Sequence, residues 1–195
     1  MVIGKDFVWA HFAKNGGDSI YDLFDLFPEL VIKKSSKRDP LKHTTFKNTP
    51  GIEHIQYRVM NIRRLPAYWL SRCFHGFLFE KVDFRRKDIL NGIINWEDGT
   101  MMRLDEHFSH YEPHKVDRWF RTEFINQDFI EFIKDFNGNL NGINHLTSNP
   151  PPKKNSLFPI PLYENVFTKD EMKMMYNSCP LWAEYEHKAF GNLLI

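Results

Sequence analysis

The sequence has little cysteine, almost no net charge and no long apolar run. Its 195 residues contain two cysteines, Cys73 and Cys179, far apart in the chain. That argues against a disulfide framework or a cysteine-built zinc site and fits a reducing, cytoplasmic compartment. Basic and acidic residues number 26 and 25, leaving a net charge of +1. Nothing in that balance points to a nucleic-acid surface. No stretch approaches the roughly 18 apolar residues of a membrane span. The opening Met1-Val2-Ile3-Gly4-Lys5-Asp6 reaches charge too soon for a secretory signal. The Walker A pattern, Gly, four residues, then Gly-Lys-Ser/Thr, is absent, as is any HExxH zinc motif. What is abundant is aromatic side chain: 15% of the residues, with 18 phenylalanines, inside a hydrophobic share of 42%. Disordered chains are poor in such residues. A chain of this length can hide about 70% of its unfolded surface, so the expectation is one globular domain over residues 1–195.

Strand and helix signals alternate along the chain. Phe7 to Phe12 is a short apolar run suited to a buried strand. Lys14-Asn15-Gly16-Gly17-Asp18-Ser19 follows as a loop. Ile20, Leu23, Phe24 and Phe27 then recur at helical spacing until Pro28 stops the helix. Lys33 to Pro50 is polar and reads as irregular chain around a short element. Gln56 to Ile62 reads as a second buried strand, and Pro66 suits the first turn of a helix through Ala67 to Leu78. Lys87 to Ile94 predicts another helix, followed by a turn at Glu97-Asp98-Gly99. Val116 to Thr122 can form a short strand. Gln127 to Phe136 is amphipathic through Phe129, Ile130, Phe132, Ile133 and Phe136, and Asn137-Gly138 suits its end. Residues 147–161 carry five prolines and read as a strap. Thr168 and Glu171 have capping-box spacing for a last helix toward Tyr176. The alternation predicts an α/β fold with a mainly parallel central sheet flanked by helices.

Two strand-loop-helix units carry the chemistry. In the first, Gly16 and Gly17 let the backbone curl so that its N–H groups converge at a helix start. Lys14 adds a full positive charge and Ser19 a hydroxyl. The set suits a phosphate; it also suits a plain glycine turn with a capping serine. In the second, Arg63 and Arg64 end a strand, and Ser71 stands eight residues after Arg63. Guanidinium and hydroxyl together suit a phosphate monoester, although solvated arginines and a small helix-contact serine would look the same.

Together the two units resemble carbohydrate-type sulfotransferases. His11-Phe12-Ala13-Lys14-Asn15-Gly16-Gly17-Asp18-Ser19 is similar to that family's His-Ile-Pro-Lys-Thr-Gly-Gly-Thr-Ser loop. The resemblance implies that Lys14, Asn15, Gly16, Gly17, Asp18 and Ser19 hold the 5′-phosphosulfate of PAPS (3′-phosphoadenosine 5′-phosphosulfate). Asn61-Ile62-Arg63-Arg64-Leu65-Pro66, with Ser71 and His75, resembles the Leu-Arg-Asp-Pro…Ser…Tyr-x-His segment, in which Arg and Ser grip the 3′-phosphate. The spacing of eight selects Arg63. Val116 to Ile125 with Asp128-Phe129, and Tyr185-Glu186 with Phe190-Gly191, resemble two later family segments in the same order. The fold implied is P-loop-like. Departures are Ala13 for Pro, Asp18 for Thr, Leu65 inserted before Pro66, and Tyr68 where a second Arg is usual. Asp18 sets a negative charge beside the expected anion.

The reaction implied is in-line sulfuryl transfer from PAPS to an acceptor hydroxyl, expected on a sugar, with no metal required. Lys14 would stabilise the leaving phosphate and His43 would take the proton. His43 lies twenty residues before Arg63, where uronosyl 2-O-type relatives place a base histidine, with Lys42 where Gly is common. Glu53, Asp39 and His107 are reserve bases. Lys154, in the strap, is a further candidate for the 3′-phosphate. His107, His110 and His114 have helical spacing but no supporting metal motif. Two alternatives stay open: a nucleotide-dependent phosphotransferase, and a nucleotide-binding relative without chemistry.

Overall fold

The computed structural model describes residues 1–36, 39–80, 82, 84–149 and 162–195. The chain divides into two compact units. One comprises residues 1–62 and 114–149; the other comprises 63–113 and 162–195.

The first unit is built on a five-stranded sheet. Its strands are β1 (Val2–Gly4), β2 (Phe7–Ala10), β3 (Val31–Lys34), β4 (Tyr57–Ile62) and β7 (Arg118–Arg121), in the order β3-β1-β2-β4-β7. β2 pairs parallel with β4, and β4 parallel with β7, while β1 is antiparallel to both neighbours. Four of the five strands therefore run in one direction, as the alternating pattern predicts. All four residues of β2 are buried, which is why that strand reads as a continuous apolar run rather than an alternation. On one face Trp9 and Val59 join Phe120 in the main core; Val8, Ala10, Met60 and Ile62, on the other face, are equally buried.

Three helices complete this unit: α1 (Gly17–Phe24), α5 (Ile125–Asp135) and α6 (Leu140–Ser148). α1 and α5 close over the sheet through an aromatic cluster. Phe132 is its hub, 4.9 Å from Phe7, 5.3 Å from Phe120 and 4.7 Å from Phe136 between ring centroids. Asn137 ends α5 with φ 55, a left-handed conformation that asparagine tolerates better than most residues.

The second unit holds α2 (Leu65–His75), α3 (Arg86–Leu90), the hairpin of β5 (Ile93–Asn95) and β6 (Met101–Arg103), α4 (Leu104–Ser109), α7 (Lys169–Ser178) and α8 (Pro180–Phe190). Trp182 anchors its core, 4.7 Å from Tyr68 and 4.9 Å from Phe108. Thr168 and Glu171 form the expected capping box.

Some expectations fail. The helix expected over Lys87 to Ile94 ends at Leu90, and Ile93-Ile94 starts the hairpin instead. Gly92 makes the break at φ +67, and a Cβ there would stand 2.5 Å from the Cys179 sulfur. β1, β3, α4, α6 and α8 are additional elements. β3 is an edge strand whose apolar Ile32 is 71% exposed, so it shows no in-out alternation. α8 takes its cap from a distant residue: the Asp105 carboxylate accepts from the N–H groups of Leu181 (2.6 Å) and Trp182 (3.0 Å). Among the described residues no helix is long and apolar enough to cross a membrane.

Replacing Phe132 by Ala leaves a cavity at the hub of the aromatic cluster. The expected loss is about 3–5 kcal/mol of unfolding free energy, measurable by chemical denaturation.

Candidate functional site

Strand order reverses beside β2. The chain leaves β2 for α1 and the β3 edge, then returns to lay β4 on the other side of β2. Ligands of open α/β sheets bind at such a reversal, beyond the carboxyl ends of the strands. The His11–Ser19 loop leaves β2 at that end.

Its backbone is unusual. Lys14 has φ 67 and Gly16 φ 76, while Ala13, Asn15 and Gly17 stay at negative φ. This alternation turns successive N–H groups toward one point, the shape that binds anions. α1 begins at once, with Ser19 N and Ile20 N donating to Gly16 O at 3.1 and 3.4 Å. A left-handed lysine costs on the order of 1 kcal/mol, so the surroundings must hold the loop. Asn15 is fully buried, and its Nδ2 donates to Asn61 O at 3.3 Å. Thr122, directly after β7, shares its hydroxyl proton between Asn15 O (2.8 Å) and Ile62 O (3.1 Å). The loop is thereby tied to β4 and to the end of β7. Asn61 and Thr122 are supports of the loop that spacing could not find, because their partners lie 46 and 107 positions away.

Gly17 is required by close approach. A Cβ there would stand 2.0 Å from Cδ2 and Nε2 of His11. The buried His11 ring stacks on Trp9 at 5.5 Å and meets the Tyr21 ring at 5.8 Å. Burial holds its pKa well below the ordinary histidine value, and His43 and Lys42 push the same way. His11 stays neutral as a packing residue under the loop.

His43 closes a short 3-10 turn, Pro40–His43, and is half-buried. Its ring centroid is 4.4 Å from that of His11, and its Nδ1 lies 3.1 Å from His11 O. A carbonyl only accepts, so Nδ1 carries the proton and the neutral ring presents a lone pair at Nε2. Burial lowers the His43 pKa, partly opposed by this hydrogen bond. Asp18, the acidic departure in the loop, is matched by another departure: Lys42 Nζ lies 3.7 Å from its carboxylate. The structure thus brings Lys14–Ser19 together with His43 and Lys42.

Arg63 and Ser71 belong to the other unit, on either side of the start of α2. Trp182 Nε1 donates to Arg63 O at 3.2 Å. The neighbouring Arg64 is committed internally: NH1 donates to Glu186 (3.2 Å) and Asn192 O (2.7 Å), and NH2 to the Asn192 side chain (2.7 Å). Ser71 is half-buried on α2. Glu53 is exposed and engaged with Gly51 N, Asp39 is half-buried, and His107 packs edge-on against Trp96 in the second unit. Lys154 lies outside the described residues.

By sequence the chain matches no protein-family model and no curated protein. By structure it is similar to mouse sulfotransferase SULT7A1, crystallised in complex with PAP. The TM-score is 0.57 over 94% of this chain and 88% of that one, at 14% identity. The fold is that of a sulfotransferase.

Gly17→Ala is expected to cost about 1–3 kcal/mol by overpacking against His11. Adding His11→Ala should relieve the clash, so denaturation of the two single variants and the double variant should show less than additive losses.

Proposed function

We propose that the chain is a PAPS-dependent sulfotransferase acting on an acceptor hydroxyl, which we assign to a carbohydrate in the cytoplasm. The observation that carries this reading is the Lys14–Ser19 loop, with left-handed residues at 14 and 16, at the carboxyl end of a central parallel strand in a sulfotransferase fold. The neighbour's crystal structure holds PAP, adenosine 3′,5′-bisphosphate, which is what PAPS becomes after giving up its sulfuryl group.

In the proposed reaction the N–H groups of Asn15, Gly16, Gly17 and Asp18 and the Ser19 hydroxyl hold the 5′-phosphosulfate. Arg63 and Ser71 hold the 3′-phosphate, with Lys154 a further candidate there. His43 Nε2 takes the proton of the acceptor hydroxyl as its oxygen forms a bond to sulfur. The bond from sulfur to the bridging phosphate oxygen breaks, and Lys14 stabilises the charge that develops on that oxygen. No step requires a metal.

Lys42 bears on the reading that the chain has lost its chemistry. Asp18 beside an anion would disfavour binding, and the Lys42 ammonium offsets that charge. A phosphotransferase would call for the Gly-Lys-Ser/Thr sequence that this loop lacks.

The test is release of the bisphosphate from PAPS across a panel of sugar acceptors. His43→Ala should lower kcat by about 10²–10⁴-fold with little change in KM for PAPS, whereas Lys14→Ala should raise that KM and lower kcat. The wild-type rate should climb as pH rises through a pKa below 6.5 and then level off, since burial lowers the pKa of His43; His43→Ala should lose that limb. Nucleotide binding without turnover on any acceptor would contradict the catalytic reading.

A further inference from the structure

The carboxylate of Glu186, on α8, is a buried acid of the second unit that accepts three hydrogen bonds. The residue is completely buried. Its Oε2 accepts from the backbone N–H of Leu65 at 2.8 Å, the first residue of α2. Its Oε1 accepts from Arg64 NH1 at 3.2 Å and from the Tyr176 hydroxyl at 2.7 Å. A fully desolvated carboxylate is costly unless such donors surround it. Its place at the amino end of α2 also sets a negative charge against the positive end of the helix dipole. Burial nevertheless pushes its carboxyl up to about 7.

The consequence lies one residue upstream. Leu65 N–H and the Arg64 side chain, both held by Glu186, flank the backbone that carries Arg63. Trp182, four residues before Glu186 on the same helix, donates its Nε1–H to the Arg63 carbonyl. Arg64 is fixed a third time by Asn192, and its guanidinium lies 3.9 Å from the centroid of the Phe190 ring. α8 and the tail after it therefore grip residues 63–65 through four residues, Trp182, Glu186, Phe190 and Asn192.

We propose that Glu186 is a positioning residue for nucleotide recognition: by clamping Arg64 and Leu65 it sets the direction in which Arg63 reaches the 3′-phosphate. The inference rests on the reading above, in which Arg63 binds that phosphate. It assigns to the C-terminal helix a part in cofactor selectivity without any contact with the cofactor.

The test uses selectivity, which a general loss of stability would not move. Binding of adenosine 3′,5′-bisphosphate and of adenosine 5′-phosphate is measured calorimetrically for wild type, Glu186→Gln and Arg64→Gln. Glu186→Gln keeps the volume and removes the charge. Arg64→Gln keeps Glu186 bonded to Leu65 and Tyr176, so it covers the case in which the first variant fails to fold. Losing one well-aimed charge-assisted hydrogen bond corresponds to about tenfold in affinity. The expected result is that bisphosphate affinity falls about tenfold in each folded variant, while adenosine 5′-phosphate binds as in wild type. If a folded variant keeps the wild-type ratio, or loses affinity for both nucleotides equally, the positioning role is wrong and the functional reading stands. If wild type itself binds the two nucleotides equally well, the functional reading fails and takes this inference with it.

Discussion

A loop that turns its N–H groups inward must be held in a shape that an isolated chain would abandon. In this protein the holding is done by hydrogen bonds to the ends of neighbouring strands. Lys14 sits in left-handed backbone, where a lysine gains nothing locally. Asn15 reaches under the loop to Asn61, and Thr122 ties Asn15 to Ile62. Each bond is worth roughly 1 kcal/mol net, enough together to outweigh the local strain. The parallel pairing of β2, β4 and β7 makes these bonds possible, because it brings three carboxyl strand ends to one edge of the sheet. The aromatic core beneath supports that edge in turn, with Phe132 touching residues from β2, β7 and α5.

Charge around the loop is arranged with the same economy. His11 fills the space under Gly17, and burial keeps it neutral, so it adds bulk without adding charge. Its carbonyl fixes the tautomer of His43, leaving Nε2 as the basic nitrogen. Asp18 and Lys42 depart from the family pattern at positions far apart in sequence, and in the fold they form one ion pair. An isolated Asp18 would repel a phosphosulfate; the pair presents much less net charge to it. In the proposed reaction Lys14 supplies the positive charge, His43 the base, and the backbone the cradle.

Much of this was legible in the sequence where local chemistry decides local structure. The glycine pair after an apolar run marks the loop between β2 and α1, and the Thr168–Glu171 spacing marks the start of α7. The Phe129–Phe136 stripe marks the face of α5. Legibility failed where a distant residue decides. Ile89, Leu90, Ile93 and Ile94 satisfy helical spacing, yet Gly92 breaks the helix against Cys179. α8 begins where Asp105 caps it from another element. β3, with Ile32 exposed on the sheet edge, has no alternation to read. Within the candidate site, the residues that would touch an anion announce themselves by type and spacing. The residues that hold the loop, Asn61 and Thr122, are ordinary in sequence and become visible only in the fold, as are Trp182 and Glu186, which bond to residues 63–65 in the second unit.

The central proposal is that this loop holds the 5′-phosphosulfate end of PAPS while Arg63 and Ser71 recognise its 3′-phosphate. Calorimetric titration of the wild-type protein with adenosine 3′,5′-bisphosphate, set against ATP with Mg²⁺, tests it most directly. The account predicts saturable binding of the bisphosphate without metal, and ATP at least tenfold weaker. A preference for ATP that depends on Mg²⁺, or no binding of the bisphosphate, would contradict it.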